Sequence, residues 1–468
     1  MNCCNLIKLV CLWIKILHVY LATMKSILVL GAGRSSSSLI RRLLERSEEC
    51  NWRVVVGDID LSVAESKVGG HPSGEAFILS SSDNIERDKR IAESDLVISM
   101  VPAFLHTSVA SVAIANGIPT ITPSYVSDEM KALDSAAKDA GVLVLNEIGL
   151  DPGIDHMSAM KVIDEIKADG GHLIGFESYC GGLVAPESDD NPWHYKISWN
   201  PKNVVLAGQG GSATFKEDGV VKFEAPHRVF RKLRSVKIDG TIYKGYPNRD
   251  SLSYLDTYGI NGVDTLIRGT LRGEGYCESW NILVELGLVA DDVKLVWEKG
   301  VIWADWTKTF LPAELSHGSA RDGVKQMLGA SDADLDRVEW LGLFDENHGP
   351  ENVEGTPAEI LQTLLEDKWK LKDGDRDLIV MWHRFEFEKD GKRQEITSEL
   401  ALEGVDQTYT GMSDTVGLPL ALAAEHILVG PGFGETGVRV PVTKNYYGPL
   451  LKQLEELDIV FLETHRYV

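Results

Sequence analysis

The stretch SILVLGAGRSSSS, Ser26–Ser38, sets a short apolar run against a glycine turn and a serine cluster. Ser26–Leu30 has the composition of a buried strand, and Leu39, Ile40, Leu43 and Leu44 then recur at helical spacing. A strand that ends in Gly31-Ala32-Gly33 lets the backbone turn tightly and approach a pyrophosphate, while the following helix offers unpaired N–H groups and a positive dipole end. Gly31, Gly33, Arg34 and Ser35 are therefore candidate cofactor-binding residues. The third glycine position of the fingerprint holds Ser36, so the stretch taken alone also reads as an ordinary strand-to-helix turn.

The elements that follow favour the nucleotide loop. Trp52–Val56 reads as a second strand closed by Gly57 and Asp58, and Ile59 comes next. An acid at this strand end accepts hydrogen bonds from ribose hydroxyls and repels a 2′-phosphate, which predicts NAD as the preferred cofactor, with NADP as the alternative. The competing reading is that Asp58 or Asp60 merely begins a turn before the helix Leu61–Lys67. Further strand patterns over Asp95–Val101, Gly117–Pro123 and Gly141–Glu147 alternate with alanine-rich helical segments, which implies a parallel sheet with its ligand outside the carboxyl ends of the strands. Ser81, Asp83, Val101 and Ile148 join the candidate cofactor residues on that ground, and Ser124, Tyr125 and Asp151 lie at the same sheet ends.

A net charge of −23 argues against an extended nucleic-acid surface, so anionic ligands must meet individual arginines. The six cysteines show neither CxxC nor Cys/His zinc spacing, and no HExxH arrangement occurs; we expect no metal, and a reducing, cytoplasmic setting. Met1–Thr23 is mostly apolar, but Lys8, Lys15 and His18 interrupt it and make it a poor membrane span or signal. It reads as a start-site extension before Met24, and no membrane association is expected.

Beyond Gly149 the alternation of strands and helices breaks. EIGLDPGIDH (147–156), SYCGGLVAPESDDNPWHYKISW (178–199), YPNRDS (246–251) and IRGTLR (267–272) closely resemble motifs of the saccharopine reductase family, the glutamate-forming saccharopine dehydrogenases. The resemblance runs over nearly the whole chain from Met24. It implies an oxidoreductase of lysine metabolism that interconverts saccharopine with L-glutamate and aminoadipate semialdehyde by hydride transfer, acting as a homodimer. A carboxynorspermidine-type dehydrogenase of the same superfamily and a non-catalytic nucleotide-binding protein are the alternatives. Some family members use NADP and carry a basic residue near the end of the second strand, where this chain has Asp58, Ile59 and Asp60; that departure also points to NAD.

Saccharopine is a secondary amine with three carboxylates, so its pocket needs cations, hydroxyls and backbone N–H groups. Arg249 is the first candidate, since it lies in a loop-like Pro-Asn-Arg-Asp-Ser stretch and a guanidinium holds a carboxylate bidentately; an ion pair with Asp250 or Asp256 is the competing reading. Arg272, Thr270, Ser124 and Tyr125 are the other substrate candidates. Asp151, in a Pro-Gly turn, is either a helix cap or, as the resemblance implies, a group facing saccharopine. The resemblance also places Cys180 near the substrate, although lone cysteines are usually buried packing. Asp151 and Cys180 are the catalytic candidates, with Tyr179, Lys196 or water as other proton carriers.

The expected fold is α/β: a Rossmann-type doubly wound parallel sheet plus a mixed α/β substrate domain with a helical insertion. Residues 24–150 form the first domain, completed by about 405–468. Residues 151–284 and 373–404 form the substrate and dimerisation domain, and 285–372 the insertion. Thr356, Pro357 and Glu359 mark a capping box within it. Asp390-Gly391 marks a hairpin turn between two strand-like runs.

Overall fold

The computed structural model describes residues 24–80, 84–209 and 211–468. Met1–Thr23, and with it the extension, lies outside the described residues, as do Ser81 and Asp83. The chain divides into two units: the first runs to Gly153 and takes in Val416–Pro441, and the second comprises Ile154–Thr415 and Val442–Val468.

The first unit is a seven-stranded parallel sheet. Its spatial order is Gly437–Arg439, Leu143–Leu145, Thr120–Ile121, Leu96–Ser99, Lys25–Leu30, Trp52–Asp58, Gly74–Ile78. The order reverses between Lys25–Leu30 and Leu96–Ser99, and that reversal makes the crevice where a doubly wound sheet takes a dinucleotide. Ile27, Val29, Val54, Val56, Leu96 and Ile98 are fully buried, as expected of strands covered on both faces. The Leu61–Val68 helix begins where Asp60 accepts from the Ser62 N–H at 2.9 Å and ends on Gly69. Asp60 is thus the cap that the turn reading foresaw.

The second unit is built on a nine-stranded mixed sheet. His172–Val184 runs parallel to Thr265–Arg272 and antiparallel to Asp377–Lys389. Asp377–Lys389 and Lys392–Glu403 form the expected hairpin, with φ of 52° at Asp390 and 69° at Gly391, the left-handed pair that a two-residue type I′ turn requires. The Ile154–Ala168 helix covers one sheet face. The segment read as an insertion holds the helices Trp303–Lys308, Ala320–Leu328, Asp332–Leu341 and Pro357–Lys368, the last opened by a reciprocal Thr356–Glu359 capping box. It also contains a short ladder, Leu295–Val296 against Glu354–Gly355, that periodicity did not reveal. Its apolar faces share one core with the sheet: Val324, Leu335, Val338, Leu361 and Trp369 belong to the same buried cluster as Trp193, Tyr276 and Trp280.

One expectation needs correction. The stretch 405–468, read as completing the first domain, is divided between the units. Val416–Pro441 joins the first, whereas the Lys444–Glu455 helix packs on Ile154–Ala168 and the Leu462–Tyr467 strand pairs with Lys392–Glu403 in the second. A helix running into a strand carries no mark of which sheet edge will take it.

Candidate active site

In the first unit the glycine loop is shaped by one forced conformation. Gly31 has φ of 104°, its N–H donates to Gly57 O at 2.7 Å, and a β-carbon there would lie 2.7 Å from the Met100 carbonyl oxygen. Only glycine satisfies all three conditions. Gly33 borders open space and leads into the Arg34–Ser36 turn, whose N-terminus has no side-chain cap. Unpaired backbone N–H groups there, beside the exposed Arg34 and half-buried Ser35, suit phosphate oxygens.

Asp58 has a different role from the one expected. Its Oδ2 accepts from the Ala32 N–H at 2.6 Å and its Oδ1 from the Asp60 N–H at 3.1 Å, so the carboxylate ties the glycine loop to the end of the second strand. Lys67, whose charge burial disfavours, lies near enough to Asp58 to be partly restored by it. A carboxylate with both oxygens on backbone donors is not reserved for a ribose, and Asp58 loses its force as a sign of NAD. Beside it, Ile59 is 70% exposed; Val101 and Ile148 are buried wall residues.

At the other strand ends, Tyr125 O–H donates to Asp151 Oδ1 at 2.9 Å. Asp151 sits in a turn closed by the Gly149 N–H donating to Pro152 O at 3.0 Å, and a β-carbon on Gly153 would strike the Gly149 backbone. Its side chain therefore reaches a tyrosine, and the Ile154–Ala168 helix starts three residues later without it. Ser124 Oγ lies 2.7 Å from Nε2 of His106, a residue that sequence reasoning did not single out.

The second unit brings Cys180 and Thr270 side by side in register on adjacent strands, with Met381 opposite Cys180 on its other flank. Strand alternation puts Tyr179 on the other face, buried against Trp382 and the backbone of Gly269. Burial pushes its phenol far above the ordinary range, and it faces away from Cys180. Lys196 is also removed from proton transfer, because its ammonium donates to Asp375 at 2.6 Å and pairs with Asp190 at 2.9 Å. Arg249 is exposed in its loop with φ of 57°, and its carbonyl accepts from the Thr214 N–H at 3.0 Å. Asp250 does not take Arg249 as its marked partner; its carboxylate accepts from Thr214 Oγ1 and from the Leu252 and Ser253 N–H groups.

Arg272 is the most unusual of the predicted residues. Its side chain is 4% exposed, yet no carboxylate among the described residues pairs with it. Nη1 donates to Leu271 O at 2.9 Å, and the guanidinium lies 5.3 Å from the ring centres of both Tyr195 and Tyr276. Nε has no partner, nor do the hydroxyl of Tyr276 and Nε1 of Trp369, whose rings are 5.9 Å apart. Three buried donors in one aromatic cluster without acceptors are what an anionic ligand would find. Tyr195, Tyr276 and Trp369 escaped the sequence reading because they are spread over 175 residues; the only local sign was the aromatic cluster of Trp193, Tyr195 and Trp199.

Among the described residues there is no cluster of metal-ligating side chains, and no helix is long and apolar enough to cross a membrane.

Comparison with known proteins places these features. Residues 27–145 match the saccharopine dehydrogenase NADP binding domain, and residues 149–459 the saccharopine dehydrogenase C-terminal domain. The chain is 36% identical over 447 residues to a saccharopine dehydrogenase [NADP(+), L-glutamate-forming] of Pyricularia oryzae, covering 92% of this chain and 97% of that protein. It is 31% identical to the mitochondrial alpha-aminoadipic semialdehyde synthase of Mus musculus, over 96% of this chain but 48% of that longer protein. The solved apo saccharopine dehydrogenase (L-Glu forming) of Saccharomyces cerevisiae superposes with a TM-score of 0.83 at 33% identity, covering 94% of this chain and all of that one. The relatives named for a cofactor carry NADP, as does the family model, and the expected NAD preference is overturned.

Proposed function

The chain belongs to the saccharopine dehydrogenase family, and from that premise we propose that it interconverts saccharopine with L-glutamate and aminoadipate semialdehyde, using NADP. The observation that carries the substrate is Arg272, a buried guanidinium with no carboxylate of its own in a cluster of unmatched donors. Such a charge is costly to keep unless a ligand completes it. A substrate with three carboxylates does so.

The residues divide the work by chemistry. Arg272 and Thr270 take one carboxylate end of the substrate. Arg249 takes another: its loop follows Pro247, which pairs with Gly269, so it stands at the far end of this ladder from Arg272, three residues or about 10 Å of strand along. Asp151, oriented by Tyr125, supplies negative charge for the substrate's amino group, and Ser124 a hydroxyl. Asp151 and Cys180 are the groups we assign to proton handling, since the secondary amine must shed a proton before its carbon gives up a hydride. The resulting imine is hydrolysed by water to the two products. NADP, when bound, supplies the hydride acceptor, and the glycine loop with Gly31, Gly33, Arg34 and Ser35 fits its phosphates. A homodimer follows from the same family reading.

Two measurements test this proposal. With glutamate and aminoadipate semialdehyde, turnover with NADPH exceeds that with NADH by at least about tenfold, a difference one charged phosphate contact readily supplies; a preference for NADH overturns the cofactor assignment. Arg249→Ala raises the saccharopine KM by about tenfold and leaves the KM for NADP+ unchanged, as expected for loss of one exposed carboxylate contact. An unchanged saccharopine KM removes Arg249 from the pocket.

A further inference from the structure

His106 opens the His106–Ala115 helix and is almost wholly buried. Its Nδ1 lies 2.8 Å from Ser99 Oγ and its Nε2 2.7 Å from Ser124 Oγ. Ser99 ends one strand of the parallel sheet and Ser124 follows the neighbouring strand, so the imidazole joins two strand ends on the ligand-binding edge. Burial lowers the His106 pKa to about 4, which leaves the ring neutral, with one N–H to share between two hydroxyls.

Ser99 decides which nitrogen carries the hydrogen. It is fully buried, and Nδ1 is the acceptor that its hydroxyl has. A hydrogen on Nδ1 would leave the Ser99 O–H unmatched in the interior, a costly outcome. The hydrogen therefore belongs on Nε2, which donates to Ser124 Oγ. Ser124 then accepts from the ring, and its own hydrogen is left for a ligand. The opposite tautomer would draw that hydrogen inward and turn only lone pairs toward an anionic substrate.

We propose that His106 is a positioning residue that, braced by Ser99, presents the Ser124 hydroxyl as a hydrogen-bond donor to a carboxylate of the substrate. This rests on the reading that Ser124 touches saccharopine. The two hydroxyls and the ring act as one unit, so their losses do not multiply. His106→Leu and Ser124→Ala each raise the saccharopine KM about tenfold with the KM for NADP+ within about twofold, and the double variant is no worse than the poorer single one. His106→Gln places an amide N–H near the Nε2 position and recovers most of the loss. His106→Asn, whose amide corresponds to Nδ1 and falls short of Ser124, does not; this polar pair decides the matter even where the leucine variant folds poorly.

An active wild type in which the two losses multiply, or in which Gln and Asn behave alike, overturns the role of His106 alone. A wild type that does not oxidise saccharopine with NADP+ overturns the functional reading, and the role of His106 with it.

Discussion

Arg272→Met lowers kcat/KM for saccharopine by about 100-fold, while the protein melts at the same temperature or slightly higher. The first half follows from losing a buried charge-assisted contact to a carboxylate, worth about 2–5 kcal/mol when one partner is truncated. The second half follows from what the guanidinium costs in the unliganded fold. Arg272 is buried among Tyr195, Tyr246 and Tyr276 with Nε unmatched, and methionine fills much of the same space with no charge to desolvate. A structural arginine would behave in the opposite way. Kinetics with saccharopine alongside thermal denaturation separate the two cases, and a fall in melting temperature with kcat/KM intact would sink the assignment.

Asp155→Ala destabilises the second unit by about 3–5 kcal/mol, or roughly 10 °C in melting temperature. Asp155 and Arg268 are both buried, and they form a direct ion pair beneath the sheet. The Arg268 guanidinium also lies 4.1 Å from the Tyr254 ring, and His156 next to Asp155 bonds the Tyr258 hydroxyl at 2.6 Å. Removing the acid leaves a desolvated cation in this packing. The reciprocal test is the double replacement Asp155→Leu with Arg268→Met, which removes both charges and recovers most of the loss. Calorimetry on the three variants checks it: a double variant as unstable as Asp155→Ala would mean that the geometry of the pair, and not its unbalanced charge, holds the region.

Much of this was readable in the residues because the features are local. Ser26–Arg34 showed a strand, a left-handed glycine and a helix start within a few positions, and the hairpin at Asp390-Gly391 and the capping box at Thr356 are similarly self-contained. The motifs beyond Gly149 pointed to the family. What was misread depended on partners distant in sequence. Asp58 stands where a ribose-binding acid stands, but its oxygens are taken by Ala32, 26 residues earlier, and by Asp60. Nothing in the strand itself distinguishes a loop tie from a ligand contact. Lys196 and Tyr179 were reasonable proton carriers until burial and strand alternation withdrew them. His106 and the aromatic wall of Arg272 carried no motif, and only folding brings their members together.

The division of the chain also bears on how it is made. The first unit requires Val416–Pro441 and the second requires Val442–Val468, although each has most of its residues before position 416. During synthesis neither unit has a complete set of strands until that shared distal segment has left the ribosome. The Rossmann sheet, first to be translated, waits for Gly437–Arg439 to occupy its outer edge. The two units therefore reach completion together, late in translation, and not one after the other.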